Sequence, residues 1–92
     1  MDAELRGILE FLEKREIRAT YQAVGEAINV SARAVGAMLG ERNPRTSWVV
    51  ASDTGKPTGY KSEEEHRALY KNSRIIRTGG DLIRYMNSEA LC

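Results

Sequence analysis

The most constraining stretch of this chain is residues 20–36, where two short helical patterns are separated only by Asn29-Val30-Ser31. Thr20-Tyr21-Gln22-Ala23-Val24 opens the first pattern, and Ala32-Arg33-Ala34-Val35-Gly36 sits inside the second. Thr20 is placed to cap a helix over residues 21–28, its hydroxyl accepting from a first-turn backbone N–H. Val24, Ala27 and Ile28 give that helix a narrow buried edge, and Gly25 permits close approach of a neighbouring helix at some cost in propensity. Asn29 tolerates the left-handed conformation that a helix end often needs, and Ser31 can cap the second helix. Two short helices on so tight a link read as a helix-turn-helix, a layout that points to DNA. The second helix is expected to run to about Arg42, with Ala34, Val35, Met38 and Leu39 on its inward arc. Its other face holds Ser31, Ala32, Arg33, Gly36 and Ala37, small apart from Arg33, and can lie close against a grooved polymer. The alternative is that Gly36 and Ala37 pack on another helix of the domain and Arg33 stands in water.

Before this unit, Leu5, Ile8, Leu9 and Leu12 recur at the spacing of an amphipathic helix, with Phe11 widening the stripe, which predicts a helix over 2–15. After it, Asn43-Pro44 stops the chain from continuing as helix. Ser47-Trp48-Val49-Val50-Ala51 reads as a strand, Asp53-Thr54-Gly55-Lys56 as turn chemistry, and Thr58-Gly59-Tyr60 as the returning strand of a β-hairpin. A helix-turn-helix followed by a hairpin is a winged helix, with Lys56 near the tip of the wing. Ser62-Glu63-Glu64-Glu65 reads as a capping box opening a helix that carries Leu69 and Tyr70 and ends near Asn72. Arg74-Ile75-Ile76-Arg77 is a short strand, and Thr78-Gly79-Gly80-Asp81 turns into a last helix with Leu82, Ile83, Tyr85 and Met86. The expected fold is mainly α with a small β-hairpin, a winged helix-turn-helix in a single domain over 1–92.

At 92 residues the chain fits one domain with a small core. Fourteen basic against thirteen acidic side chains give a net charge of +1, so bulk charge announces no nucleic-acid partner. The distribution is less even. Residues 31–61 carry Arg33, Arg42, Arg45, Lys56 and Lys61 against Glu41 and Asp53, and residues 66–78 carry Arg67, Lys71, Arg74 and Arg77 with no acid. The first sixteen residues are the acidic counterweight. Ordinary charge scatter on a solvated surface would give the same pattern. The single cysteine, Cys92, permits no disulfide within the chain and no Cys/His metal set, so neither metal nor cofactor is expected. It is final, not four from the end as prenylation requires, and reads as a tail residue. Without a signal-like start or a run of about 20 apolar residues, a reducing, cytoplasmic setting and no membrane are expected.

Over about residues 18–70 the chain resembles the DNA-binding domain of the O6-alkylguanine-DNA alkyltransferases and their non-catalytic alkyltransferase-like relatives. Thr20-Tyr21, then Ala32-Arg33-Ala34-Val35-Gly36, then Asn43-Pro44, then Gly59-Tyr60 match that family's motifs in order. The resemblance implies that Tyr21 lies against the phosphate of a nucleotide being rotated and that Arg33 fills the gap left in the base stack. It also implies that Tyr60 closes a lesion pocket. Tyr21 as a half-buried core residue is the plain alternative. The family's Pro-Cys-His-Arg segment is missing: only Arg45-Thr46-Ser47-Trp48 separates Pro44 from Val49-Val50, and no position there replaces the cysteine. A thiolate is the nucleophile dealkylation needs, and the Thr46 or Ser47 hydroxyl without an adjacent base is a poor substitute. His66, the one histidine, shows no partner in sequence. Trp48 is either the wall of a reduced pocket or the core aromatic of a small domain.

The candidate DNA-binding residues are therefore Tyr21, Ser31, Ala32, Arg33, Arg42, Arg45, Lys56 and Tyr60, with Trp48 a candidate pocket residue and no catalytic residue. The expected partner is double-stranded DNA, bound without chemistry. Two alternatives stay open: a sequence-specific winged-helix regulator that dimerises through the last helix, and a protein-interaction module that has lost DNA binding, which the near-zero net charge favours.

Overall fold

The computed structural model describes residues 3–40 and 42–90, the last two by their backbone alone. The expectations for Asp2, Glu41 and Cys92 lie outside the described residues. α1 (Ala3–Arg15) forms on the Leu5, Ile8, Leu9 and Leu12 stripe and buries it, with Phe11. Glu16 takes a left-handed φ of 53°, and the chain turns into β1 (Arg18–Thr20). α2 (Tyr21–Ile28) comes at once, because the Thr20 hydroxyl accepts from Ala23 N–H at 3.0 Å and so caps it. Asn29 at φ 61° ends it, and Val30 N–H donates back to the Gly25 carbonyl at 2.8 Å. Ser31 then accepts from Ala34 N–H at the head of α3 (Ala32–Leu39).

The expected pair of short helices on a three-residue link is present, and Gly25 permits it: a Cβ there would lie 2.5 Å from the Val30 carbonyl oxygen. α3 ends at Leu39 instead of near Arg42, since Gly40 leaves the helical region at φ 69° and ψ −123°. Asn43 then organises the turn beyond it. Its Oδ1 accepts from Arg45 N–H and Thr46 N–H, which starts a short 3-10 turn, Thr46–Trp48, leading into β2 (Val49–Val50).

The expected hairpin does not form. β2 pairs in parallel with β1, Ala19 opposite Val49, and the other edge of β1 pairs in parallel with β3 (Ile75–Ile76), giving the order β2-β1-β3. Ser47 and Trp48 belong to the 3-10 turn, and the segment meant to return carries Pro57, which has no donor, and Gly59 at φ 75°. Both features interrupt an extended ladder. The expected helix up to Asn72 is also replaced. Lys61 N–H donates to Glu64 at 2.8 Å, so the box sits one residue earlier than Ser62 and Glu65 and holds only a 3-10 turn, Ser62–Glu64. His66 then stops propagation: its backbone N–H donates to Ser47 Oγ and its Nδ1 accepts from Ala68 N–H.

α4 (Gly79–Ala90) packs on α2, as α3 does, so that α2 is the shared neighbour of both. Leu5, Leu9, Leu12, Val24, Val35, Trp48, Leu69 and Leu82 are fully buried, each large side chain contributing about 1.5–3 kcal/mol relative to exposure. Among the described residues no helix is long and apolar enough to cross a membrane.

Candidate nucleic-acid interface

α3 presents two faces of different character. Val35 and Leu39 are buried and Ala34 and Met38 half-buried, whereas Ala32, Arg33, Gly36 and Ala37 are exposed. A Cβ built on Gly36 meets nothing within 4 Å, so this small-residue face is open and not packed on another helix. It forms part of a cleft of about 570 Å³. Arg33, Gly36 and Gly40 line the cleft from α3 and its end, Tyr21 from the head of α2, and Arg42 from the segment beyond α3. Thr58 and Tyr60 line it from the loop after β2.

The cleft's polar groups are fixed by their neighbours. The Tyr21 hydroxyl accepts from Thr58 N–H at 3.4 Å, which leaves its own proton to donate into the cleft. The Tyr60 hydroxyl is hydrogen-bonded to Thr46 Oγ1. Burial pushes the Tyr60 phenol above its ordinary value, partly offset by that hydrogen bond, so Tyr60 stays neutral at physiological pH. Arg42 is placed by Gly59, whose missing Cβ leaves room for the guanidinium; a methyl there would sit 3.0 Å from Nη2. Two guanidiniums, a donating phenol and no lining acid among the described residues make this a site for acceptor-rich or anionic groups.

Of the sequence-derived candidates, Tyr21, Ala32, Arg33, Arg42 and Tyr60 come together here. Ser31 is exposed beside them with its hydroxyl engaged in capping α3. Arg45 is turned toward α1, its Nη2 3.3 Å from Glu10 Oε1. Lys56 is exposed in the turn after β2 and does not line the cleft. Trp48 lies in the core with no exposed surface, its ring 5.0 Å from that of His66, so it walls no pocket. Its Nε1–H finds no partner among the described residues.

Ser47 and His66 approach one another without forming a nucleophile and base. The buried Ser47 Oγ donates to the Pro44 carbonyl at 2.6 Å and accepts from the His66 backbone N–H, not from its ring. The ring has Nδ1 on Ala68 N–H and Nε2 3.7 Å from Glu13 Oε1. Sequence reasoning missed Thr58, Gly40 and Thr46, which reach the site only through loop conformation; the neighbouring Gly59-Tyr60 pair was the one available signal. No family model matches this chain, and no curated protein or solved structure matches it either.

Proposed function

We propose that the chain is a non-enzymatic DNA-binding module of the alkyltransferase-like kind, which seats a duplex against α3. The observation that carries this reading is the open, small-residue face of α3 with Arg33 beside a cleft that Tyr21, Arg42 and Tyr60 also line. A helix with so little side chain on its outer face approaches a groove closely, and its one long cation then reaches between the strands. In this reading the loop over 51–60 takes the part of a wing, supported by Thr58 and Tyr60 lining the cleft and by the exposed Lys56. Extruding a nucleotide costs a few kcal/mol of stacking and pairing, and an inserted cation offsets part of that. Arg45 reaches phosphate by giving up its exposed contact to Glu10, a surface pair that is easily exchanged.

The test is duplex binding across a salt series. With about four to six phosphate contacts, log affinity falls against log salt with a slope on the order of −4 to −5. A flat dependence removes the proposal. In Arg33→Ala the same duplex binds much more weakly, and 2-aminopurine placed in it no longer brightens. Ile83, 45% exposed on α4, is the observation that favours a dimeric regulator instead; a dimer mass by light scattering with one preferred sequence supports that reading.

A further inference from the structure

A second cleft, of about 350 Å³, lies at the other end of β1 from Tyr21, between the end of α1 and α4. Phe11 and Ile17 give it an apolar floor, and Arg15, Asn72, Arg74 and Tyr85 supply its polar rim. Every polar group on that rim is left with donors. Arg74 donates to the Tyr85 hydroxyl, which turns the phenolic proton outward. Asn72 spends its Oδ1 on Arg74 N–H at 3.0 Å and its backbone carbonyl on Arg18 Nη2 at 3.1 Å, which leaves its side-chain NH2.

An independent observation stands directly behind the rim. Arg18 is only 8% exposed and donates to the Gly55 carbonyl as well, with the Tyr70 ring 5.1 Å away, while its Nε–H has no partner among the described residues. Among the described side chains, which exclude those of residues 89 and 90, no carboxylate lies within ion-pair distance of Arg15, Arg18 or Arg74. Arg18 is held by the Asn72 and Gly55 carbonyls and the Tyr70 ring behind the rim, while the two guanidiniums that line the cleft, Arg15 and Arg74, stand among donors and leave a positive potential that an anion would neutralise.

We propose that this cleft is a phosphate seat, in which Arg15 and Arg74 grip a phosphate, Tyr85 and Asn72 donate to its remaining oxygens, and Phe11 and Ile17 receive the apolar body of its ester. Phosphate fits better than carboxylate because it offers enough acceptor oxygens for two forked guanidiniums together with the phenol and amide donors. The volume exceeds a bare phosphate, which is why the ligand is an ester. Its source is either a free phosphomonoester or a backbone phosphate of DNA.

The experiment titrates the 15N-labelled full chain with inorganic phosphate and with phenyl phosphate at constant ionic strength, reading the Asn72 side-chain amide and the Arg15 and Arg74 Nε–H signals. Saturable binding is expected, several-fold tighter for phenyl phosphate, and weakened about tenfold or more in R15Q/R74Q. Both arginines are exposed, and R15Q alone preserves the Arg74–Tyr85 contact as a second variant should the double one lose its helical circular dichroism. Non-saturating shifts shared with Arg67 and Arg77, or an unchanged affinity in R15Q/R74Q, overturn the proposal. A duplex-binding salt slope that loses about two units in R15Q/R74Q assigns the phosphate to DNA. An unchanged slope with lost phenyl phosphate binding assigns it to a free ester. Because the phenyl phosphate titration needs no DNA, this proposal and the duplex reading of α3 fail separately.

Discussion

At Gly59 the backbone stands at φ 75°, and the space a side chain would take is filled by the Arg42 guanidinium, so one residue's shape sets another's position. Gly59→Ala is expected to cost about 1 kcal/mol for the left-handed backbone alone and to move Arg42 out of the cleft. Duplex affinity then falls to near that of Arg42→Ala, a comparison that direct titration of both variants makes. Trp48 gives a second residue-level expectation. Buried among core residues and absent from the cleft, it should emit at short wavelength and keep its spectrum when duplex is added; a shift on binding would place it at the interface. Tyr21 and Arg33 were legible in the sequence because each sits at a fixed offset from a helix cap, Thr20 and Ser31, and caps are local chemistry. Arg42 over Gly59 and Tyr60 against Thr46 depend on how a loop lies, and residue spacing does not encode that.

Among the elements, α2 carries the most obligations, since its residues serve α3, α4 and β1 together. Gly25→Ala puts a methyl 2.5 Å from a backbone oxygen that no rotamer change can move, and should cost about 2–3 kcal/mol in urea unfolding. One residue further on, the Glu26 carboxylate accepts from Gly79 N–H at 2.8 Å and so caps α4 from another helix. That bond, with a second from Gln22, holds the Glu26 carboxyl below its usual value. A depressed carboxyl contributes stability that is present above its unfolded value of 4.5 and is lost as pH falls through the lower folded one. Amide exchange in the first turn of α4 should therefore lose protection as the solution is acidified through that range, once the intrinsic pH dependence of exchange is divided out, and Glu26→Gln should flatten that dependence. α1 to α4 were readable for the same reason as the caps, whereas the helix expected up to Asn72 is only a 3-10 turn and the hairpin expected over 47–60 does not form. Val49–Val50 pairs with Ala19 and Thr20 along one edge, a partner far away in sequence, and the returning segment with Pro57 and the left-handed Gly59 adds no strand to its other edge.

For the whole molecule, charge is spent unevenly. The acidic end of the chain is partly consumed, with Glu10 on Arg45 and Glu13 beside His66, while the two clefts keep their arginines unneutralised among the described residues. A net charge of +1 thus hides a polarised surface, and composition alone could not have located it. The central strand has a further consequence. β1 is three residues long, sits near the beginning of the chain, and takes both its neighbours from the middle and the far part of it. Contacts so distant in sequence slow folding, so refolding should take on the order of milliseconds or longer, not the microseconds of a small helical bundle. Stopped-flow emission from Trp48, buried beside β2, reads that rate. On the ribosome the helices of residues 3–39 can form as they emerge, but the sheet that anchors them waits for Ile75 and Ile76. Until then the apolar faces of α1 and α2 stand unsheltered, and the nascent chain is most open to proteolysis and to association with its neighbours.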